Sequence, residues 1–577
     1  MPIQILSEDT INKIAAGEVI ERPANAVKEL VENSIDAGSH SIEIEIKESG
    51  IKLIRVTDDG CGIPPQELPL AILRHATSKI SGFNDLFNIT SLGFRGEALP
   101  SIASVSKMEL RSHAKDSKVG REIKIAGGKI KAQNDWAGKP GTDIEVTELF
   151  YNTPARLKFL KSASTEKHNI ISHIEQLALA RPDIAFKVIS DGKEVLNAPR
   201  AKNVLERVYD VLGDELASSL VPFEAVNPVV RLYGFITPTE KSQSNKNSQF
   251  LFVNKRPVQF TKAIFRSIYD AYSENLPKGR HPGVLIFMEI NPADIDVNIH
   301  PTKREIRISK ESELYDLFYR SIKTALNKPV SIDRLKQFDV PSTPQARPDF
   351  IRETPSAYKP GDDLSKHFVS PFKESTSTFP VSEFEVGPTT GNTFQVFGMY
   401  LVAQKGDELL LIDQHAAAER IRYERYLAEF KQNKIQVQKM LLPETIDMPS
   451  SRSAVLTGNM QIFNSLGWEI EEFGAKTFRI TGVPAVLGTG LEIRNVLNEI
   501  LESLAEETKL TETEKIEKII MTACRRSIKA GDKLSPQEMS RLMQDLFLCT
   551  APFTCPHGRP TVFKIAKKDL EKYFGRS

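Results

Sequence analysis

"ELVENSIDAG" (residues 29–38) and "DDGCGI" (residues 58–63) decide how the first part of this chain folds. In the first, Glu29, Asn33 and Asp36 recur at helical spacing, so one helix face carries three polar groups. Upstream, "INKIAAGEVIERPANAVKELVENSID" (11–36) keeps that spacing. Pro23 suits a helix start there, because the first turn leaves its N–H groups unbonded anyway. Between the two stretches, "SIEIEIKESG" (41–50) and "IKLIRVTDDG" (51–60) alternate apolar and polar residues like two hairpin strands, with Glu48–Gly50 near the turn. Asp58 at a strand end, followed by Gly60 and Gly62, would allow the backbone to approach a flat ligand closely. "GFRGEAL" (93–99) and "GTDIEV" (141–146) are further glycine-led turns. Such turns can cradle phosphates through backbone N–H groups, although no GxxxxGK[ST] loop is present. Helix-like and strand-like patterns alternate in this way through residue 200.

A chain of 577 residues is too long for one core, and at about 150 residues per domain it should hold three or four. Seventy-six basic against 75 acidic residues leave a net charge of +1, which excludes a bulk polycation. Nucleic-acid binding would need a local patch. The densest is 241–280, with eight Lys/Arg and two Asp/Glu, including Lys255, Arg256, Lys262 and Arg266. Four cysteines do not make a disulfide framework and point to a reducing compartment. The opening "MPIQILSEDTINK" reads as no secretory signal, and no run of about 18 apolar residues occurs. A cytoplasmic protein with no membrane partner is expected. Residues 341–391 hold eight prolines among Ser, Thr and charge, which cannot support a periodic core. As a coil this tether would span about 40 Å. Before it, 221–328 mixes strands ("VVRLYGFITP", "QFLFVNKRPV", "GVLIFMEI") with a helix over 262–275. After it, "FQVFGMYLVAQ" and "ELLLIDQ" flank Lys405–Asp407 as a hairpin.

The second half carries its own chemistry. "LIDQHAAAERIRYE" (411–424) places Asp413, His415 and Glu419 within seven residues, with His415 and Glu419 on one helix face. Farther on, Cys524 lies in "TACRRSIKAGD", and Cys555 and His557 lie in "CPHGRP". A thiolate and an imidazole at C-x-H spacing can bind one zinc ion while a distant helix supplies the remaining ligands. His415 and Glu419 alone are ordinary; the three segments together read as a metal site. Cys549 and Cys61 read as core residues, and His75 as structural. "QKMLLP" (438–443) fits Q-x-x-L-x-P, which is either a strand edge or a docking peptide.

These stretches resemble the ATPase superfamily of gyrase, heat-shock chaperones, histidine kinases and MutL. "KIAAGEVIERP" (13–23) and "GFRGEAL" narrow the likeness to the MutL mismatch-repair family, over residues 1–330 and 393–577. The resemblance implies an α+β multidomain chain. An ATPase α/β sandwich would span 1–220, and an α/β transducer domain with a DNA-binding groove 221–330. A flexible Pro-rich linker would span 331–392, and a C-terminal α/β dimerisation and endonuclease domain 393–577. In the first domain, Glu29 would be the general base that activates water, and Asn33 would hold Mg2+ beside the phosphates of ATP. Asp58 would accept a hydrogen bond from the adenine amino group, with Gly60, Gly62 and Thr77 completing the pocket. Arg95, Gly96 and Glu97 would wrap the phosphates, Thr142 would sit at the base, and Lys303 would reach the γ-phosphate.

"DQHAAAERIRYE", "ACRRSIKA" and "CPHGRP" resemble the motifs of the nicking members of that family. This implies that Asp413, His415, Glu419, Cys524, Cys555 and His557 form a two-metal phosphodiester-hydrolysis site, with Glu424 matching the last acid. Zn2+ suits the thiolate side, and Mn2+ or Mg2+ the carboxylates. Gln438, Leu441 and Pro443 would anchor a replication sliding clamp. The other implied partners are DNA, a second copy of the chain and a mismatch-recognition protein of the MutS type, at the nucleoid. One rival is a nuclease-silent matchmaker with structural zinc; the other is a topoisomerase subunit or chaperone, against which "GFRGEAL" argues. Asp413 separates the first rival on the premise that structural zinc needs no such carboxylate.

Overall fold

A computed structural model describes residues 16–17, 19–80, 82, 91–93, 95–243, 246–272, 276, 280–296, 307–308, 311–326, 393–474, 476–488, 492–506, 510–526 and 533–574. The tether and Lys303 lie outside the described residues.

Helix α1 (Pro23–Asp36) starts with Pro23 in its first turn. It buries Val27, Leu30, Val31 and Ile35 and leaves Glu29 and Asn33 half-buried at its rim. Strands β1 (Ser41–Lys47) and β2 (Leu53–Asp58) form the expected antiparallel pair around a turn at Glu48–Gly50. Their alternation puts Ile42, Ile44, Ile46, Ile54 and Val56 on the inner face. After helix α2 (Ala98–Ser104), strands β3 (Lys107–His113), β4 (Gly120–Ala126), β5 (Lys129–Trp136) and β6 (Gly141–Thr147) follow. Helix α3 (Ala163–Ala180) then leads to β7 (Ala185–Ser190) and β8 (Lys193–Ala198). The eight strands order as β5-β4-β3-β6-β2-β1-β7-β8, antiparallel except for β1 with β7. Ile170 and Ile174 of α3 join the α1 residues over the isoleucines of the sheet in one core. Removing one such side chain, as in Ile44→Ala, costs about 2–5 kcal/mol.

A second sheet, ordered β12-β11-β13-β10-β9, begins with β9 (Val221–Val226) and β10 (Val230–Ile236). Strands β11 (Gln249–Val253) and β12 (Arg256–Val258) join through Asn254 and Lys255, both at positive φ (49° and 64°), a tight turn matched to strand twist. Helix α4 (Lys262–Tyr272), β13 (Val284–Ile290), the short pair β14 (Ile295–Asp296) and β15 (Arg307–Ile308), and α5 (Glu311–Leu326) complete this part. Ile264 and Ile268 of α4 and Phe318 and Ile322 of α5 share its core.

After the tether, β16 (Phe394–Val396), β17 (Tyr400–Lys405) and β18 (Glu408–Asp413) run antiparallel and lead into α6 (Gln414–Lys431). Strand β19 (Val437–Asp447) belongs to another sheet, ordered β19-β21-β20, with β20 (Glu469–Glu472) and β21 (Thr477–Pro484). Helices α7 (Ile493–Glu506) and α8 (Glu512–Arg526) cover it around Trp468, and α9 (Pro536–Leu548) packs against α6. Strand β22 (Val562–Ala566) pairs with β18 and brings the chain's last segments beside the start of α6.

Candidate nucleotide and metal sites

The first site forms where α1, the ends of β2 and β6, and the segment before α2 meet. Asp58 closes β2 opposite Thr142 on β6, and its carboxylate accepts Ser34 Oγ at 2.7 Å and the Gly60 amide at 2.9 Å. Burial pushes the Asp58 carboxyl above its ordinary value, against the pull of those hydrogen bonds. Thr142 is buried, with its hydroxyl 3.0 Å from Ser112 Oγ. The glycines have a local role that the sequence did not show: their missing side chains admit protein. A Cβ on Gly60 would lie 2.8 Å from both Ala37 Cβ and Ser39 Oγ, and one on Gly62, at φ +71°, would lie 2.2 Å from the His113 carbonyl oxygen. Gly96 likewise packs against the Ala76 backbone. Cys61 is exposed rather than a core residue. His75 sits beside this segment, its amide donating to the Gly96 carbonyl and its ring 3.9 Å from Glu97.

On the α1 side, Asn33 Oδ1 accepts Lys79 Nζ at 2.8 Å, and Lys79 also contacts Asp36 at 2.5 Å. Asp36 takes the amides of Leu92 and Gly93 at 2.8 and 3.0 Å. Glu29 accepts Lys28 Nζ at 3.1 Å. Thr77 Oγ1 accepts the Lys79 amide at 3.2 Å. The structure therefore gathers Asn33, Asp58, Thr77, Gly96 and Thr142 around α1, which also carries Glu29; it adds Lys79, which sequence reasoning missed, and gives Asp36 a place it had only as part of the helix face. Asp36 was visible as the third member of the helical face; Lys79 had only its nearness to Thr77 as a signal.

Of the basic residues, Lys255, Lys262 and Arg266 are exposed, and Arg266 pairs with Asp270 at 3.3 Å. Arg256 is a correction. It is buried, and Nη2 donates to the Ser91 carbonyl at 2.8 Å, so it is out of reach of a DNA phosphate.

The second site gathers residues from α6 and from the loop before β22. Ligand atoms of Glu419, Cys555 and His557 all lie within 4.8 Å of one another. His415 Nε2 is 3.4 Å from one Glu419 oxygen and His557 Nδ1 is 3.6 Å from the other. His415 Nδ1 is buried with no hydrogen-bond partner. The hydrogen bond to Glu419 holds His415 above its ordinary pKa. Burial pushes Glu419 up, but His415 and His557 outweigh it and hold the carboxyl low. A buried thiol, two imidazoles and a carboxylate, with one buried ring nitrogen unpaired, fit a divalent cation of the zinc type. Cys524 lies in the neighbouring apolar core, outside that tight group, and burial pushes its thiol up to about 12.

Two acids have structural explanations. Asp413 caps α6, its Oδ1 accepting the Ala416 amide at 2.9 Å. Asp413 therefore does not separate the nuclease from the structural-zinc rival as expected, because the carboxylate has a use in the fold in either case: a cap of this type contributes about 1 kcal/mol. Glu424 accepts the Thr550 and Ala551 amides at 2.6 and 3.1 Å and anchors that loop. Elsewhere, the β19 ladder with β21 breaks between Lys439 and Glu444. Leu441 is 98% exposed there, and Gln438 and Pro443 are also exposed.

Comparison with known proteins adds family relationships to this geometry. Residues 20–152 match the family described as histidine kinase-, DNA gyrase B-, and HSP90-like ATPase. Residues 208–327 match the DNA mismatch repair protein C-terminal domain, and residues 393–534 the MutL C-terminal dimerisation domain. Among described residues, no helix is long and apolar enough to cross a membrane. A solved Aquifex aeolicus MutL ATPase domain complexed with ADP is 28% identical, covering 54% of this chain and 100% of that one, with a TM-score of 0.39. The DNA mismatch repair protein MutL of Caldanaerobacter subterraneus subsp. tengcongensis is 37% identical, covering 100% of this chain and 99% of that protein. That of Endomicrobium trichonymphae is 43% identical, covering 100% of both. Both matches cover the whole chain at 37–43% identity, and so the chain belongs to the MutL family of DNA mismatch repair proteins.

Proposed function

We propose that this MutL protein is an ATP-gated homodimer whose C-terminal part nicks DNA. The observation that carries the nicking activity is the meeting of Glu419, Cys555 and His557, with His415 against Glu419, from two segments far apart in sequence. A cation held there would supply Lewis acidity and an activated water for phosphodiester hydrolysis. The chain's own part is to hold the ligands: Asp413 fixes the start of α6, and the loop carrying Cys555 and His557 faces the same helix. At the other site, ATP is the substrate. Glu29 stands at the rim of α1 as the group to take a proton from water, Asn33 offers an oxygen for Mg2+, and Asp58 an acceptor for adenine. Arg95, Gly96 and Glu97 stand at the phosphate side, and Lys303 is assigned to the γ-phosphate by its motif.

The domain division we adopt is 1–220, 221–330, 331–392 and 393–577, with the family's dimerisation match in the last. Exposed Lys255, Lys262 and Arg266 are the candidates for sequence-independent phosphate contacts, which would weaken steeply with salt. The interrupted β19 ladder leaves Leu441 and Pro443 unpaired beside Gln438, whose backbone pairs with Val483 while its side chain is exposed, and these three would seat in a sliding clamp; a MutS-type protein would recruit the complex to a mismatch at the nucleoid.

The test is nicking of supercoiled plasmid with Mn2+ by the wild type, Glu419→Gln and Cys555→Ser, with metal content measured on the same preparations. Loss of both zinc and nicking supports the reading. Wild-type nicking by a zinc-depleted Cys555→Ser variant would make the zinc structural and put the nuclease elsewhere, and a wild type that does not nick with Mn2+ would favour the nuclease-silent matchmaker.

A further inference from the structure

Arg256 is a buried guanidinium, 8% exposed, at the start of β12. Burying such a charge is costly unless partners replace its water. Burial lowers its pKa, and the carboxylates of Glu32, Asp36 and Glu29, all on α1, act in the opposite direction. Its hydrogen bond to the Ser91 carbonyl crosses from the second sheet to the segment before α2. Ser91 Oγ in turn donates to the Gly93 carbonyl at 2.8 Å, and the Leu92 and Gly93 amides donate to Asp36. Asp36 shares Lys79 with Asn33. The segment Ser91–Gly93 is therefore held from two sides, by a carboxylate of α1 and by a guanidinium of the second sheet.

The guanidinium sits on a stiff support. Strand β12 is paired to β11 (Val253↔Arg256, Leu251↔Val258), and β11 is paired to β13. Phe252 of β11 and Phe287 of β13, stacked at 4.8 Å, belong to the same core as α1 and the first sheet. The turn at Asn254 and Lys255 sends Lys255 to solvent and Arg256 inward.

We propose that Arg256 is a positioning residue for ATP hydrolysis: it ties the phosphate-side segment Ser91–Gly93 to the second sheet, so that nucleotide-driven rearrangement of one displaces the other. This rests on the nucleotide binding beside α1, and the experiment separates the two ideas.

Arg256→Gln and Arg256→Lys are compared with the wild type for ADP binding, ATP KM and kcat. Amide hydrogen exchange of peptides spanning 91–93 and 249–258 is followed with and without nucleotide. If losing the tie leaves the segment aligned about a tenth of the time, KM rises about tenfold while kcat stays within about threefold, with Arg256→Lys intermediate. In the wild type, nucleotide changes exchange in both peptides; in Arg256→Gln it changes only 91–93. A folded Arg256→Gln with wild-type KM and joint exchange overturns the proposal. Should neither variant fold, a wild type in which nucleotide alters 91–93 but leaves 249–258 unchanged overturns it equally. A wild type that binds no adenine nucleotide overturns the nucleotide reading and this proposal together; ADP binding kept in a variant whose coupling is wild-type removes this proposal alone.

Discussion

Asp413 serves the fold through its hydrogen bond to the Ala416 amide, and any role in chemistry must be separated from that cap. Asparagine caps about as well as aspartate, whereas alanine loses about 1 kcal/mol. Asp413→Asn should therefore melt with the wild type and Asp413→Ala a few degrees lower. Both should lose nicking by at least about tenfold, if the carboxylate also serves the cation. Nicking at wild-type rate by Asp413→Asn would leave the residue a cap alone. Asp58 presents the opposite balance. Burial raises its folded pKa. A group raised in the folded state supports the fold fully below its unfolded pKa and loses that support as pH rises through the folded one. Ionising the buried Asp58 therefore costs stability as pH rises. Asp58→Asn should raise Tm by about 2 °C at pH 7 and lose ATP affinity more than about tenfold. The Tm gain should shrink as pH falls through the folded-state pKa and the wild-type carboxyl takes up its proton. A gain that persists unchanged in acid would rule out this account.

At the scale of elements, α1 was legible because its apolar residues and its polar face both follow the helical period. The first hairpin was legible because Ile42, Ile44 and Ile46 alternate with Ser41, Glu43, Glu45 and Lys47. The face that carries Glu29 gives a direct test. Glu29→Ala should keep nucleotide binding and lose roughly 10²–10⁴ in turnover, measured by phosphate release. What alternation could not show was the break in β19 between Lys439 and Glu444, because register depends on the partner strand. That break exposes Leu441 and Leu442, which a regular strand would have paired. Replacing Gln438 and Leu441 by Ala should leave Tm within about 1 °C, since exposed side chains contribute little. Clamp-stimulated nicking should disappear while basal nicking remains; stimulation that survives would reduce the segment to a strand edge. The cap at Asp413, the loop anchor at Glu424 and the inward Arg256 were likewise hidden, each being set by a contact made in three dimensions.

Over the whole molecule, the two sites occupy separate cores, one around α1 and the first sheet and one around α6 and its neighbours. Ligand removal should therefore act locally. A zinc chelator should lower the melting transition of the C-terminal part by RT ln(1 + [L]/Kd) worth of stability and leave ADP binding unchanged. Loss of ADP binding on chelation would show that the sites are coupled. That ordered regions lie on both sides of the proline-rich stretch was legible in the loss of periodicity there; the strand order was not, because β1 finds a partner across a long sequence gap. Ile42 pairs with Phe186, 144 residues later, and β1 lies inside the finished sheet between β2 and β7. This has a consequence for synthesis. A nascent chain that has emerged only to Thr147 possesses β2 and β6 and most of the nucleotide rim, yet one side of β1 is still an open edge. Such an edge is a template for pairing with other chains until Ala185–Ser190 arrives to cover it. A fragment ending at Thr147 should aggregate, and one reaching Ala198 should stay dispersed, which makes β7 the strand that seals the N-terminal sheet during translation.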